Sequence, residues 1–228
     1  MIITIDGPTA SGKSTIARLL AKKWSFYYIN SGFLYRALAY LLYTDYAYQL
    51  ADLHNADLAL CRDLLLGNGF SYIYENGQVH VFFKGNNITP FLKSPLMDQA
   101  ASLLSINAMV RALINEYQRL LAQRNSVIAD GRDCGSIVFP QADYKFFLTA
   151  LLEVRAQRWC KEQALHGNII SPEACKKAVQ ERDARDMQRP YAPLEIAPDV
   201  ISVDNSEWTV EQTVKFFENY INTHERKK

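Results

Sequence analysis

Short apolar runs alternate with longer amphipathic stretches along most of the chain. Five runs have the length and composition of buried strands, at residues 2–6, 26–29, 126–130, 144–149 and 199–203. Apolar residues recur at helical spacing in the stretches 13–24, 95–123, 151–166, 172–188 and 209–223. Strands that alternate with helices predict an α/β fold of the doubly wound type, in which helices cover both faces of a parallel sheet of about five strands.

One stretch interrupts the alternation. Two β-rich runs flank Asn76 and Gly77, and Asn-Gly between such runs is the strongest short-range indication of a tight hairpin. A hairpin does not belong inside a simple series of strand–helix–strand units. We therefore expect residues 55–96 to form a small inserted subdomain, with residues 1–54 and 97–228 forming the core.

Composition excludes several classes of protein. The 228 residues include 25 basic and 24 acidic ones, for a net charge of +1, whereas a protein that holds nucleic acid through its backbone usually has a basic balance. The chain has no apolar window of about 18 residues and no secretory signal pattern. Its four cysteines and four histidines are scattered, which favours neither a zinc site nor a disulfide framework. We expect a soluble, reduced, cytoplasmic monomer that binds neither nucleic acid nor a membrane.

The first strand is followed by GPTASGKST, residues 7–15, which has the spacing of a phosphate-binding loop. Gly7 and Gly12 would let the backbone approach phosphate oxygens, backed by the N-terminus of the next helix. Lys13 would reach the β- and γ-phosphates of ATP, and the hydroxyl of Ser14 would bind Mg²⁺. The residues predicted to bind ATP here are Gly7, Pro8, Thr9, Ala10, Ser11, Gly12, Lys13, Ser14 and Thr15.

A second segment, VIADGRDCG, ends another apolar run. Asp130 closes the predicted strand, where a carboxylate can help to hold Mg²⁺ directly or through water. Arg132 and Asp133 follow at the carboxyl edge of the sheet, which is where open α/β folds bind ligands. A strand cap followed by a surface ion pair is the alternative for this segment alone.

Arginines accumulate in the later part of the chain. In ERDARDMQR, a helix would place Arg182, Asp186 and Arg189 on one face, a pattern that is commonly a solvated ion-paired surface. Beside a phosphate loop, it favours arginines that stabilise charge during phosphoryl transfer. Arg36, next to Ser31 at the end of the second strand, and Arg155 and Arg158 join this set.

One ATP alone would not need so many arginines, so a second phosphate-bearing ligand is the economical explanation. No segment stands out as supplying a general base. An acceptor phosphate needs none, because its second pKa of about 6 leaves it mostly dianionic at neutral pH. This favours a nucleotide as the acceptor.

The segments TIDGPTASGKST, NSGFLYRA, DGRDCGSIVFP and ERDARDMQR, in this order and spacing, resemble the bacterial cytidylate kinases. These P-loop nucleoside monophosphate kinases transfer the γ-phosphate of ATP to CMP or dCMP. The resemblance runs from Ile2 to the last predicted helix and includes the hairpin insertion. It implies a Mg²⁺-dependent reaction, an insertion that binds the monophosphate, and a mobile lid around residues 155–190.

The resemblance also implies roles for matching residues. Arg155 and Arg158 would belong to the lid over ATP. The acceptor-binding residues would be Ser31, Arg36, Ser102, Arg111, Arg132, Asp133, Arg182, Asp186 and Arg189. Among these, Ser102, Arg111 and Asp133 would read cytosine. Catalysis would depend on Lys13, Asp130, Arg132, Arg182 and Arg189, with Ser14 and Asp130 at the metal.

The chain departs from the family pattern at three positions. Asn30 stands where the family usually has Asp, which removes a negative charge near the acceptor site. Trp159 stands where a second lid arginine is common, and Cys134 replaces a larger aliphatic residue. None of the phosphate-loop residues is lost.

Two alternatives to a (d)CMP kinase stay open at this point. A small-molecule kinase of the same fold would ignore every nucleoside monophosphate, and a nucleotide-responsive binding protein would bind nucleotide with little transfer. The choice among CMP, dCMP and UMP is also open.

Overall fold

The computed structural model describes residues 1–165, 167–197 and 199–224. The strands are β1 (Ile2–Asp6), β2 (Tyr27–Asn30), β3 (Phe70–Glu75), β4 (Gln78–Phe83), β5 (Asn86–Asn87), β6 (Val127–Gly131), β7 (Tyr144–Thr149) and β8 (Ile201–Asp204). The helices are α1 (Lys13–Trp24), α2 (Ser31–Asp45), α3 (Leu58–Leu66), α4 (Pro95–Leu104), α5 (Ala108–Ala122), α6 (Leu152–Leu165), α7 (Pro172–Gln188) and α8 (Val210–Thr223). Within the described ranges, no helix is both long and apolar enough to cross a membrane.

Five strands form one parallel sheet in the order β2-β6-β1-β7-β8, which confirms the predicted doubly wound fold. Helices α1 and α8 cover one face, where Phe146 of β7 and Phe217 of α8 are fully buried with ring centroids 4.5 Å apart. On the other face, Ile29 and Ala129 pack with Val138. Strands β2 and β6 lie on one side of β1, and β7 and β8 lie on the other. The strand order therefore switches direction at β1, and α/β folds bind ligands at the carboxyl ends of the strands at such a point.

The hairpin indicated by Asn76 and Gly77 is present as the antiparallel pair β3–β4, to which β5 adds a third strand. Both turn residues have positive φ, of 52° and 78°, as a tight hairpin turn requires. The small sheet is tied to the core by Tyr72, whose hydroxyl accepts the backbone N–H of Asn30 at 2.8 Å and donates to the carbonyl of Tyr28 at 3.2 Å. The division at residues 55 and 96 stays a prediction.

The prediction of a single helix over residues 95–123 is wrong. Helix α4 ends at Leu104, and α5 starts at Ala108 after a short turn. The cause is Asn107, whose side-chain oxygen accepts the backbone N–H groups of Met109 and Val110 at 3.0 and 3.2 Å and so caps α5. Apolar spacing continues through the turn, so periodicity alone does not reveal the break.

The expectation that the cysteines form no disulfide is also wrong. Cys160 of α6 and Cys175 of α7 are joined by a disulfide, with their Cα atoms 5.8 Å apart. The two helices pack side by side, a proximity that spacing along the sequence does not show. Cys61 and Cys134 are free and buried.

Other element bounds differ less. Strand β8 begins at Ile201 rather than at residue 199, because the preceding residues form a turn. Helix α2, which carries Ser31 and Arg36, was not among the predicted helices. The predicted end of a helix at His166 lies outside the described residues.

Replacing Asn107 tests whether its side chain sets the helix break. We expect Asn107→Ala to lower the free energy of unfolding by about 1 kcal/mol, because two N–H groups of α5 lose their acceptor. Asn107→Ser, which retains a capping oxygen, should stay close to wild type. Urea unfolding followed by circular dichroism measures both variants, and equal losses in the two would show that the cap is not the cause.

The disulfide gives a second stability prediction. The bridge closes a segment of sequence separation 15, for which the chain-entropy model gives a stabilisation of about 3 kcal/mol. Dithiothreitol should therefore lower the midpoint of urea unfolding, and thiol titration in denaturant should rise from two groups per chain to four. Cys175→Ser should show the lower midpoint already and should not respond to the reductant. A wild-type midpoint that is insensitive to reduction would contradict the prediction.

Candidate functional site

A cleft of about 1130 Å³ opens at the carboxyl edge of the parallel sheet. The phosphate loop, the starts of α1 and α2, the hairpin, α4, β6, the two helices α6 and α7, and the turn after β8 all line it. Every residue that the sequence predicts for an acceptor lies on its wall; these are Ser31, Arg36, Ser102, Arg111, Arg132, Asp133, Arg182, Asp186 and Arg189. Of the loop residues, Thr9, Ala10, Gly12, Lys13, Ser14 and Thr15 line it as well.

The phosphate loop has a backbone that other residues could not easily form. Gly7 has φ of 148°, and a Cβ there would lie 2.1 Å from the carbonyl oxygen of Leu148 in the neighbouring strand β7. Gly12 has φ of 96° directly before α1. The first N–H groups of α1 have no acceptor within the helix and carry the positive end of its dipole. The loop therefore presents donors and positive potential to an anion.

Lys13 is buried at the start of α1. Its Nζ donates to the carbonyl of Pro8 at 2.6 Å and contacts the hydroxyl of Ser11 at 3.2 Å. Burial lowers the pKa of Lys13, and the nearby Arg132 lowers it further, while Asp130 and Asp183 act in the opposite sense. A negatively charged ligand in the loop would relieve this unfavourable positive charge.

Ser14 and Asp130 lie together where the loop meets β6. The Ser14 hydroxyl donates to Asp130 Oδ2 at 2.6 Å, and the Tyr28 hydroxyl donates to Asp130 Oδ1 at 2.9 Å. Asn30 Nδ2 completes a ring by donating to Ser14 Oγ at 3.1 Å and to the Tyr28 hydroxyl at 2.8 Å. Burial raises the pKa of Asp130, an effect that the hydrogen bond from Ser14 opposes.

Asn30 has both of its side-chain groups engaged, since its Oδ1 accepts the N–H of Phe33 and caps α2. An aspartate at this position could keep the cap but could not donate to Ser14 and Tyr28. The neutral amide is therefore matched to its partners Ser14 and Tyr28.

The turn after β6 is fixed by Asp6 at the end of β1. Its carboxylate accepts the backbone N–H groups of Cys134 and Gly135 at 2.9 and 2.7 Å. Burial raises the pKa of Asp6 to about 6, against these two hydrogen bonds. The contact holds Arg132 and Asp133 at the floor of the cleft.

Arg132 and Asp133 start a chain of ion pairs on this floor. Arg132 Nε donates to Asp186 Oδ2 at 2.7 Å, and Arg189 Nη1 lies 3.8 Å from Asp186 Oδ1. Arg189 Nη2 lies 3.8 Å from Asp133 Oδ1, and Arg111 pairs with the other oxygen of Asp133. Burial alone would raise the pKa of Asp186, but the surrounding arginines outweigh it and hold this pKa below its ordinary value.

The remaining predicted acceptor residues lie beside this floor. Arg36 and Arg182 contact one oxygen of Asp98. Ser102 Oγ accepts a hydrogen bond from Arg185 Nε at 3.1 Å, and Ser31 Oγ donates to the carbonyl of Asp130 at 3.0 Å. A Cβ on Gly131 would lie 2.6 Å from Ser31 Oγ, so the glycine allows this close approach.

The two arginines predicted for the lid differ in position. Arg158 lines the cleft and bonds the carbonyl of Ser11 at 3.3 Å and Asn205 Oδ1 at 3.0 Å. Arg155 lies behind the loop, where it bonds the carbonyl of Thr9 at 3.1 Å and pairs with Asp183. Arg155 is not among the residues that line the cleft, so its contact with ATP stays a prediction.

Besides Asp6, sequence reasoning missed four residues that organise the site. Asp183 accepts the N–H of Thr9 at 2.8 Å and lies within the arginine-rich segment, so its charge was a visible signal. Asn205 follows β8 at the ligand-binding edge, where a polar residue could have been noticed. Tyr28 and Asp98 gave no signal, because only tertiary packing brings them to Asp130 and to the arginines.

Comparison with known proteins agrees with this geometry. A profile described as cytidylate kinase matches residues 3–223. The chain is 41% identical over 218 residues to a cytidylate kinase of Chlamydia pneumoniae, covering 94% of this chain and 95% of that protein. It is 34% identical over 227 residues to a cytidylate kinase of Geobacter sulfurreducens, covering 99% and 94%.

A crystal structure of an uncharacterized protein from Eubacterium ventriosum is similar in fold, with a TM-score of 0.53 at 12% identity over 98% of this chain and 99% of that one. The family profile and both relatives extend over nearly the whole chain, phosphate loop and arginine clusters included. On this evidence the chain belongs to the cytidylate kinase family.

Proposed function

We propose that this protein is an ATP-dependent kinase that transfers the γ-phosphate of ATP to CMP or dCMP. The observation that carries the proposal is that the phosphate loop and the nine predicted acceptor residues line the same cleft. Its volume of about 1130 Å³ exceeds the range of roughly 300–1,000 Å³ that is typical of a site for one small ligand. Two nucleotides side by side account for that size. They also account for cations at two places in the cleft, with Lys13 and Arg158 beside the loop and Arg36, Arg132 and Arg182 beyond it.

The donor nucleotide would lie with its phosphates in the loop. The free N–H groups at the start of α1 and the ammonium of Lys13 supply the hydrogen bonds and charge that a triphosphate needs. Arg158 and Asn205, which bond each other beside the loop, would border the rest of this nucleotide.

A magnesium ion fits the oxygens at the end of the loop. Ser14 and Asp130 present a hydroxyl and a carboxylate 2.6 Å apart, and oxygen ligands of this kind suit a small hard cation. These two residues would hold the ion, which would neutralise charge that develops on the β- and γ-phosphates. Asn30 and Tyr28 would keep the two oxygens in place through their hydrogen bonds.

The acceptor base would lie over Arg111 and Asp133. Arg111 and Asp133 are paired with each other and both line the cleft, so a base there would meet a guanidinium donor and a carboxylate acceptor. Cytosine offers an amino donor to the Asp133 carboxylate, whereas uracil presents a carbonyl oxygen in that place. This arrangement favours CMP and dCMP over UMP, with Ser102 as a further polar contact.

Catalysis would consist of positioning and charge stabilisation. Arg36, Arg132 and Arg182 line the cleft and would surround the acceptor phosphate, and Lys13 would lie on the donor side. A dianionic phosphate attacks without a general base. Exclusion of water from the cleft would prevent simple hydrolysis of ATP.

The choice of acceptor is the decisive test. ADP formation from ATP and Mg²⁺ would be measured with CMP, dCMP, UMP, AMP, GMP and dTMP in turn, and without acceptor. We expect turnover chiefly with CMP and dCMP, because the Asp133 carboxylate accepts an amino group. Turnover with another monophosphate would overturn the assignment of Ser102, Arg111 and Asp133 to cytosine. Equal ADP release without any acceptor would reject the kinase, and so would the absence of ADP formation with every acceptor tested.

A variant of Lys13 separates catalysis from folding. We expect Lys13→Ala to lower kcat by on the order of 10²–10³, because the transferred phosphoryl group loses a preorganised charge. The thermal midpoint should not fall, since the variant removes a buried cation that lies near Arg132. Lys22→Ala, an exposed change on the same helix, is the matched control and should leave kcat unchanged. Wild-type kcat in Lys13→Ala would contradict the assignment.

A further inference from the structure

One carboxylate in the cleft has no part in the chemistry above. Asp98 Oδ1 accepts hydrogen bonds from Arg36 Nε at 3.0 Å and from Arg182 Nη1 at 3.2 Å. A second nitrogen of Arg36, Nη2, lies 3.0 Å from the same oxygen. All three residues line the cleft. A single oxygen atom therefore joins two arginines that would hold the acceptor phosphate.

The location of Asp98 in the first turn of α4 does not explain these contacts. Acidic residues are common there because they face the positive end of the helix dipole. The cap of α4, however, is Ser94, whose hydroxyl accepts the N–H of Met97 at 3.2 Å. The side chain of Asp98 is only 21% exposed, and its contacts are with guanidinium groups of other helices.

The two arginines come from separate parts of the chain. Arg36 lies on α2, directly after β2, whereas Arg182 lies on α7 in the segment predicted as the lid. Asp98 lies between them in sequence and in space, on a helix that packs against α2 and contacts α7. Neither arginine shares a helix with the other, so the carboxylate is the described contact that links them.

Like charges oppose this arrangement. Burial lowers the pKa of Arg182, and the nearby Arg132 and Arg36 lower it further, while Asp98 and Asp186 act in the opposite sense. Burial alone would raise the pKa of Asp98, but Arg36 and Arg182 outweigh it and lower that pKa. Without the carboxylate, the cations would repel one another and the long side chains would spread apart.

We propose that Asp98 is a positioning residue for the acceptor phosphate, which it serves by holding Arg36 and Arg182 side by side before the acceptor arrives. Among the described residues, Nη1 of Arg36 and Nε and Nη2 of Arg182 have no protein acceptor, so these donors remain for a phosphate. Arginines that are ordered in advance cost less conformational entropy when the ligand binds. The inference rests on the proposed function, since it needs a phosphate-bearing acceptor in this cleft.

If Asp98 instead competed with the acceptor phosphate, its removal would have the opposite effect on CMP binding. A carboxylate that occupies the place of the phosphate would compete with the acceptor, and its removal would tighten binding. Asp98→Asn distinguishes the two, because it retains the shape and one acceptor oxygen but removes the charge. Asp63→Asn, an exposed change of the same kind on α3, is the matched control.

Binding of CMP would be measured by calorimetry without ATP, alongside KM for CMP, KM for ATP and kcat. We expect Asp98→Asn to raise the Kd and the KM for CMP by about tenfold, with kcat and the KM for ATP changed by less than about threefold. Inhibition by cytidine, which lacks the phosphate, should be unchanged. In an Arg182→Ala background the effect of Asp98→Asn should largely disappear.

Unchanged or tighter binding of CMP by Asp98→Asn overturns the inference. So does an equal loss of affinity for CMP and cytidine, which would mean a general disturbance of the cleft. If Asp98→Asn does not fold, Asp98→Ser gives the same comparison. A wild-type protein that neither binds nor phosphorylates CMP rejects the proposed function itself, whereas an active wild type with an indifferent variant rejects only the role of Asp98.

Discussion

The site depends on the pairing of buried positive charge with carboxylates. A cleft that receives phosphate groups must hold many cations close together, and in the absence of a ligand these cations repel each other in a medium that screens poorly. The protein solves this with shared carboxylates, each placed between two elements of the fold. The five arginines of the cleft so held are Arg36, Arg111, Arg132, Arg182 and Arg189, and the shared carboxylates are those of Asp98, Asp133 and Asp186. Behind the loop, Asp183 pairs with Arg155.

These pairs also determine how the parts of the fold are joined. Asp133 lies in the turn after β6 and contacts arginines of α5 and of the end of α7. Asp183 connects α7 to α6 and to the phosphate loop at once, through Arg155 and the N–H of Thr9. The loop, the floor and the two helices above them are therefore one connected polar network. A change in one pair would be felt at the others.

Much of this architecture could be predicted from local sequence. The run before the phosphate loop, the glycines of the loop and the Asn-Gly turn each carry their structure in a few adjacent residues, and all are found where expected. The break at Asn107 was missed because its cap operates within an uninterrupted apolar pattern. Asp98, Tyr28 and the Cys160–Cys175 bridge depend on contacts between distant elements, which no local pattern encodes. The roles of Ser102 and Arg111 came from the family resemblance alone.

The bridge between α6 and α7 has a mechanical consequence. Cys160 follows Arg158 by two residues, and Cys175 precedes Arg182 by two helical turns. The covalent link therefore lies within the same pair of helices as arginines proposed for the donor and for the acceptor. A covalent bridge between two packed helices restrains sliding of one along the other. A movement of one helix toward the sheet would therefore take the other with it, and the guanidinium groups proposed for the donor and for the acceptor would move together.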